Sequence, residues 1–465
     1  MNTRRSNCGN AACHIYALMA TLMAAAPYAL ATAPPLPVIP TTEYLATSYG
    51  ASANGSSVDT TAIQNAINAA SGAGGGVVLL GAVAGSNNTY LSGAISMKSD
   101  VNLEIASGVT LEMQAKNAYT SGSTPFISAN NISNAEISGA GTINGQGATW
   151  WSNPSSSRPF LVDFQNSSTV AFNNVTLLNS PMENLAFNNT NNVTVNGITV
   201  SAPSNSPNTD GVDPAGNNYL IENSSISTGD DDIAVKPQNS SCSNIVIQND
   251  SIGTGHGISV GGETNAGLNG MSVSNVTFNG TTNGLRLKAG IGNGGVVQNI
   301  TYSNISMKNV SNPIYITSYY VNGGDHSPSN PATVVSAPLT SLTPVWKNIT
   351  LSNITATGAD RSGIVYGLPQ APVENLSMNN ISISASQDFE LYYAQNTLFT
   401  GGTSASTLSG LVTYDATVNT PEPSPLALLS AALAATGLGL PLGKRRHRIK
   451  ICAQKGINKC KNMNN

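Results

Sequence analysis

Apolar residues in the second half of the chain come in short alternating bursts, such as Ile245 and Ile247, then Val273, Val276 and Phe278, then Ile300, Tyr302 and Ile305, with Ser, Thr and Asn between them. Alternation on a period of two is a strand signal, because successive side chains leave a strand on opposite faces. The bursts are bracketed by Asn pairs five positions apart: Asn218 and Asn223, Asn244 and Asn249, Asn299 and Asn304, Asn348 and Asn353, Asn375 and Asn380. Asn218 to Asn244 is 26 residues and Asn348 to Asn375 is 27. The 55 residues from Asn244 to Asn299 fit two turns, with Asn275 marking the middle one. The 49 residues from Asn299 to Asn348 hold an insertion near Gly323 to Leu342. Several short strands on a repeat of about 25 residues predict an all-β chain wound as a parallel β-helix. Coils stacked about 4.8 Å apart would line up equivalent side chains into Asn ladders and apolar stacks. A β-propeller, the rival, would need a longer repeat with aromatic signatures.

One segment breaks the strand pattern. Asp59 to Ala70 has Asp at the N-cap position and Ile63 and Ile67 at helical spacing. Gly74-Gly75-Gly76 would end this helix, and Val77 to Leu80 reads as a strand. A helix over the open end of a solenoid shields the first coil from edge pairing.

The two ends differ from the body. Arg4 and Arg5, the apolar stretch Tyr16 to Ala26 and the small-residue sites Ala29-Leu30-Ala31 and Ala31-Thr32-Ala33 make residues 1–33 an expected export signal. Residues 34–415 form the expected β-helical catalytic domain. After Tyr414, Pro421-Glu422-Pro423-Ser424 precedes an apolar run from Leu426 to Leu442 and the basic cluster Lys444-Arg445-Arg446-His447-Arg448. This is a marginal membrane span with a positive flank. The arrangement resembles the PEP-CTERM sorting signal of Gram-negative bacteria. The resemblance implies that residues 416–448 touch the membrane transiently and are removed by an exosortase-like enzyme. Residues 449–465 are a further basic tail beyond the usual end of such signals, and an ordinary tail anchor is the bland alternative. Removing both ends leaves Cys242 as the one body cysteine, so the body holds no internal disulfide. The chain has 465 residues and a formal net charge of -4, with no basic stripe of the kind that binds nucleic acid.

Four short motifs carry candidate chemistry. They are Asn208-Thr209-Asp210-Gly211, Gly229-Asp230-Asp231, Gly255-His256-Gly257 and Arg286-Leu287-Lys288. Asp210 to Asp231 is 21 residues, Asp231 to His256 is 25 and His256 to Arg286 is 30, each close to one coil. Residues a coil apart share a face, so three Asp, one His, one Arg and one Lys should converge on one groove. Carboxylates held close raise one another's proton affinity, and a protonated and an ionised carboxyl facing each other are the parts of sugar hydrolysis. Arg and Lys beside them suit an anionic sugar such as a uronic acid. Singly, each motif reads better as a turn, an exposed loop His or a solvated strand; jointly, in register, they favour catalysis.

With these motifs the chain resembles glycoside hydrolase family 28, the polygalacturonase family. Matching stretches include Gly141 to Gly147 with Trp150 and Trp151, Arg158-Pro159, Asn179-Ser180-Pro181, Asn208 to Asp213, Thr228 to Lys236 and Gly284 to Lys288 with Gly294-Gly295. The resemblance implies a right-handed, pectin-lyase-like solenoid and an inverting hydrolase that cuts α-1,4-galacturonosidic bonds of pectin at the cell surface. It implies Asp230 as general acid, Asp210 and Asp231 as holders of the attacking water, and His256 as tuner of the acid. Arg286, Lys288, Asn208 and Tyr320 would bind substrate, with no metal or other cofactor and a monomeric chain. Departures are Asp232 and Ile252 at the positions of a family disulfide, Asn312 near the family's substrate-contacting Tyr (with Tyr315, Tyr319 and Tyr320 close by), and Met182-Glu183 where aromatic or His residues are common. Asp232 should point away from Asp231 as a structural carboxyl. Rhamnogalacturonan or xylogalacturonan hydrolysis, a non-catalytic surface adhesin and a calcium-dependent lyase are the competing readings.

Overall fold

The strand alternation is realised as coils. A computed structural model describes residues 33–420, apart from 153–156 and 322. The expected export signal, except Ala33, and the expected sorting segment beyond Thr420 lie outside the described residues, as does the basic tail. Among the described residues, 30 strands join in one hydrogen-bonded sheet whose pairings are all parallel, the winding of a right-handed β-helix. A two-stranded antiparallel hairpin, Tyr320–Val321 with Gly324–Asp325, stands apart from it.

Seven strands make the face that matters for function. They are β1 (Val162–Gln165), β2 (Leu185–Asn188), β3 (Val212–Asp213), β4 (Ile233–Val235), β5 (Ile258–Gly262), β6 (Asn283–Ala289) and β7 (Asn312–Thr317). Their inward side chains line up as Val162, Leu185, Val212, Ile233, Ile258, Leu285 and Ile314, all fully buried. Each such side chain contributes about 1.5–3 kcal/mol by leaving water. The ladder also locks register, because a slip by one residue would turn every apolar group outward. The other faces are held the same way, for example by Val193, Tyr219, Ile245, Met271 and Ile300 in successive coils.

The bracketing asparagines have a specific task. Asn218, Asn223, Asn244, Asn249, Asn299, Asn304, Asn348, Asn353, Asn375 and Asn380 all adopt left-handed φ between 53° and 66°. Asn tolerates this region better than other residues with a β-carbon. Their side chains hydrogen-bond coil to coil: Asn244 Nδ2 donates to Asn218 Oδ1 at 2.7 Å, Asn348 to Asn299 at 3.0 Å and Asn375 to Asn348 at 2.8 Å. Asn275 belongs to the second column, donating to Asn249 and accepting from Asn304. The partner of Asn244 in that middle turn is Gly270, at φ +89°. Glycine meets the backbone demand there without a side chain.

The expected helix spans Thr60–Gly72 and buries Ile63 and Ile67 against the first coil. Asp59 occupies the N-cap position, but its side chain makes no cap hydrogen bond. Its carboxylate instead accepts the backbone N–H groups of Ser52 (2.8 Å) and Ala53 (3.1 Å), tying down the preceding loop. Between Thr317 and Val345 the insertion folds over the outer face. Its Asp325 accepts from Tyr315 Oη, and the carbonyl of Pro331 accepts from Tyr393 Oη at 2.6 Å. No helix among the described residues is long and apolar enough to cross a membrane.

Candidate active site

The trough lies on the outer face of β3 to β7. Asp210, Asp230 and Asp231 come from the turns, and Arg286 and Lys288 from β6. Asp230 and Asp231 sit in the turn before β4, and His256 sits one coil on, in the turn before β5. Arg286 pairs in register with Ser259 rather than with His256, and Lys288 pairs with Gly261. The two cations therefore stand along the strand and reach back to the turn. The side chains reach one groove although the turn and strand positions are offset by three residues.

Glycines make the close packing of these turns possible. A β-carbon on Gly229 would lie 2.1 Å from the carbonyl oxygen of Ser206. One on Gly255, at φ +148°, would lie 2.4 Å from the Asp232 carboxylate. Asp232 is fully buried and accepts from the Gly257 N–H at 2.9 Å, so it is the structural carboxyl that alternation predicts.

Asp231 is the most constrained group. Its Oδ1 accepts from Arg286 Nη1 at 2.9 Å and from Ser259 Oγ at 2.7 Å, and its Oδ2 accepts from Lys288 Nζ at 2.8 Å. Burial alone would raise this carboxyl, but the Lys288 and Arg286 charges outweigh it and hold Asp231 well below the usual carboxylate range. Asp230 is more open, with about a quarter of its side chain exposed. Its Oδ1 lies 3.0 Å from His256 Nδ1, and Asn208 Nδ2 approaches its Oδ2 at 3.5 Å. Burial pushes Asp230 up, yet the His256 contact and the Lys288 charge bring it below its ordinary value.

Asp210 stands at the other side, buried, with Lys236 Nζ at 3.0 Å. Burial raises its carboxyl, Lys236 opposes this, and Asp230 and Asp231 add to the rise, leaving it above the ordinary value. Lys236 also lies 3.8 Å from Asp213. Burial alone would lower the Lys236 ammonium, but Asp210 and Asp213 drive it well above its ordinary value, so it stays charged. Tyr320 lies over both substrate-side cations, its ring centre 5.4 Å from the Arg286 guanidinium and 4.9 Å from Lys288 Nζ. Tyr315 flanks Arg286 at 5.8 Å. Arg158 holds Asn208 in place, donating to its Oδ1 at 2.7 Å and to the carbonyls of Pro181 and Pro207.

Five expected residues thus touch directly: Asp230, Asp231, His256, Arg286 and Lys288. Asn208 and Tyr320 border them, and Asp210 joins through the electrostatic network. Sequence reasoning passed over Lys236, Ser259 and Arg158 as site residues. Lys236 and Arg158 lay within matching stretches, and Lys236 falls one coil after Asp210, a spacing that could have revealed it. Ser259 carries no charge and gave no signal.

A solenoid with paired carboxylates and cations in a lateral trough is the architecture of a polysaccharide-cutting hydrolase. Residues 77–399 match the family model "Glycosyl hydrolases family 28", and the chain belongs to that family. It is 34% identical over 372 residues to an endo-polygalacturonase of Pectobacterium carotovorum subsp. carotovorum, covering 72% of this chain and 87% of that protein. The solved polygalacturonase of Erwinia carotovora ssp. carotovora superposes with a TM-score of 0.60 at 29% identity, covering 84% of this chain and 98% of that one. A hyperthermoactive exopolygalacturonase from Thermotoga maritima shares the fold at a TM-score of 0.66 and 20% identity, covering 83% of this chain and 94% of that one.

Proposed function

We infer that this chain is a polygalacturonase that hydrolyses α-1,4-galacturonosidic bonds of pectin with inversion. One observation carries the reading: an open carboxyl paired with histidine, Asp230 with His256, lies beside an ionised carboxylate clamped by two cations. In this reading Asp230 protonates the leaving oxygen. A bound galacturonate closes off water and adds negative charge, and both effects raise the Asp230 carboxyl toward its protonated form. The same anion draws Arg286 and Lys288 partly onto its own carboxylate, freeing Asp231 to act with Asp210 on the attacking water. His256 shares the proton of Asp230 and returns it between turnovers. Similarity to endo-polygalacturonases across most of the chain supports the substrate class.

Polygalacturonate incubated with a chelator should release reducing ends without new ultraviolet absorbance. Unsaturated products would sink the reading in favour of a lyase, and silence would favour an adhesin. Asp230→Asn should lower kcat by about 10²–10⁴-fold with an unchanged circular dichroism spectrum, since loss of a positioned acid removes that much; a fully active variant would remove Asp230 from the acid role. We also read residues 1–33 as an export signal and 416–448 as a sorting segment cut by an exosortase-like enzyme. Their support is the sequence pattern, and the intact mass of the exported protein tests it: retention of Lys444 to Arg448 would overturn the cut.

A further inference from the structure

The strand that follows the two cations carries a second assembly. Arg286 pairs in register with Tyr315 and Lys288 with Thr317, so β7 repeats the outward columns of β6 one rung on. These two β7 side chains hold the hairpin Tyr320–Val321 with Gly324–Asp325. Tyr315 Oη donates to Asp325 Oδ2, and Thr317 Oγ1 lies 3.1 Å from Ser327 Oγ. Asp325 Oδ1 accepts from the Ser327 N–H at 2.9 Å and from Ser327 Oγ at 2.6 Å. One exposed carboxylate therefore joins both attachments.

The opposite strand of the hairpin carries Tyr320, paired with Asp325. Its ring reaches back over β6, 5.4 Å from the Arg286 guanidinium and 4.9 Å from Lys288 Nζ. It also packs on Gly262 of β5, where a β-carbon would lie 2.9 Å from the ring. Tyr315 flanks Arg286 at 5.8 Å. The faces of such rings attract cations. Both rings beside Arg286 are therefore fixed by Asp325, Tyr315 through its hydroxyl and Tyr320 through the hairpin. Burial, then the Asp325 bond, raises the Tyr315 hydroxyl above its ordinary value, so it keeps its proton and remains a donor.

We propose that Asp325 is a positioning residue for substrate binding: it fixes Tyr315 and the hairpin bearing Tyr320, so that the two rings hold Arg286 and Lys288 where a substrate carboxylate meets them. The proposal rests on the hydrolase reading above. The side-chain hydrogen bonds of Asp325 go to Tyr315 and Ser327, so its influence on the cations passes through the rings. Asp231 keeps its own ion pairs with both cations, at 2.9 Å and 2.8 Å. The bond-breaking geometry therefore survives when the hairpin loosens, and substrate binding bears the loss.

The test measures kcat, KM and Tm of the full chain and its variants on polygalacturonate. Asp325→Ala should raise KM by about 5–10-fold, the scale of losing one or two cation–π contacts, with kcat held within about twofold and Tm unmoved. Asp325→Asn, which keeps an acceptor for Tyr315 Oη, should recover most of that KM. Tyr315→Phe leaves the ring and removes the hydroxyl. It should raise KM in the native chain and add less than about twofold in the Asp325→Ala background, because the two changes break one contact. Should Asp325→Ala not fold, Tyr315→Phe decides alone, since it removes the same bond from the other side. A KM that neither change moves, a loss confined to kcat, or effects that multiply in the double variant would overturn the positioning role while the hydrolase reading stands. An unmutated chain that releases no reducing ends from polygalacturonate would end both.

Discussion

Lys236 shows how one residue can set the chemistry of several. It faces Asp210 and Asp213, two buried carboxyls with raised proton affinity. Removing the cation takes away the one influence that opposes burial and the acidic neighbours at Asp210. Lys236→Met should therefore raise Asp210 further, so the base is lost at a higher pH than before. The acid limb of kcat should move upward in pH, and kcat on that limb should fall by up to about tenfold for each unit the limb moves. A purely structural lysine would lower Tm and leave the pH profile in place. The Asp, His, Arg and Lys types of the trough were legible in the sequence because charge is rare in this chain. Their partners were not, since Ser259 and Arg158 act through geometry that spacing alone does not reveal.

At the scale of the element, a coil is closed by two left-handed residues and joined to the next by their side chains. Where both are Asn the repeat is readable, as at Asn244 and Asn249. Where another residue takes the corner it is not: Gly270 hides one turn, and Thr169 (φ 55°) and Gly197 (φ 67°) hide earlier ones. The physical requirement is the positive φ, and Asn is one of several ways to meet it. Asn244→Ala should cost about 2–3 kcal/mol in denaturant unfolding, combining left-handed strain with a lost hydrogen bond. Asn244→Gly should cost about 1 kcal/mol, because only the bond to Asn218 is lost. Equal costs would show that the ladder bond matters and the corner does not. The helix illustrates another limit: its apolar spacing was legible, but the task of Asp59 depends on a loop seven residues upstream.

Across the whole molecule, one ladder-built core runs through the coils, and its weak points are its ends. The helix Thr60–Gly72 covers the first coil with Ile63 and Ile67 fully buried. Ile67→Asp would place an unpaired carboxylate there, at a cost of several kcal/mol. Light scattering should then show concentration-dependent association, because the uncovered strands offer unpaired backbone groups to a second chain. A destabilised but monomeric variant would mean the helix is packing alone and not a guard. The parallel winding was foreseen from the repeat and the trough face from the spacing of the motifs, while the right hand came only with the family resemblance.

The register of β3 to β6 also says which changes of length the enzyme could survive. Adding one full rung before Arg158, which holds Asn208, would lift everything downstream by about 4.8 Å as a rigid block and lengthen the bed for the polymer. The bond-breaking group would travel intact. The same rung placed between Asp231 and His256 would pull acid from tuner and carboxylate from clamp. Groove length and chemistry are thus separately adjustable in this architecture, with the boundary between them near Arg158.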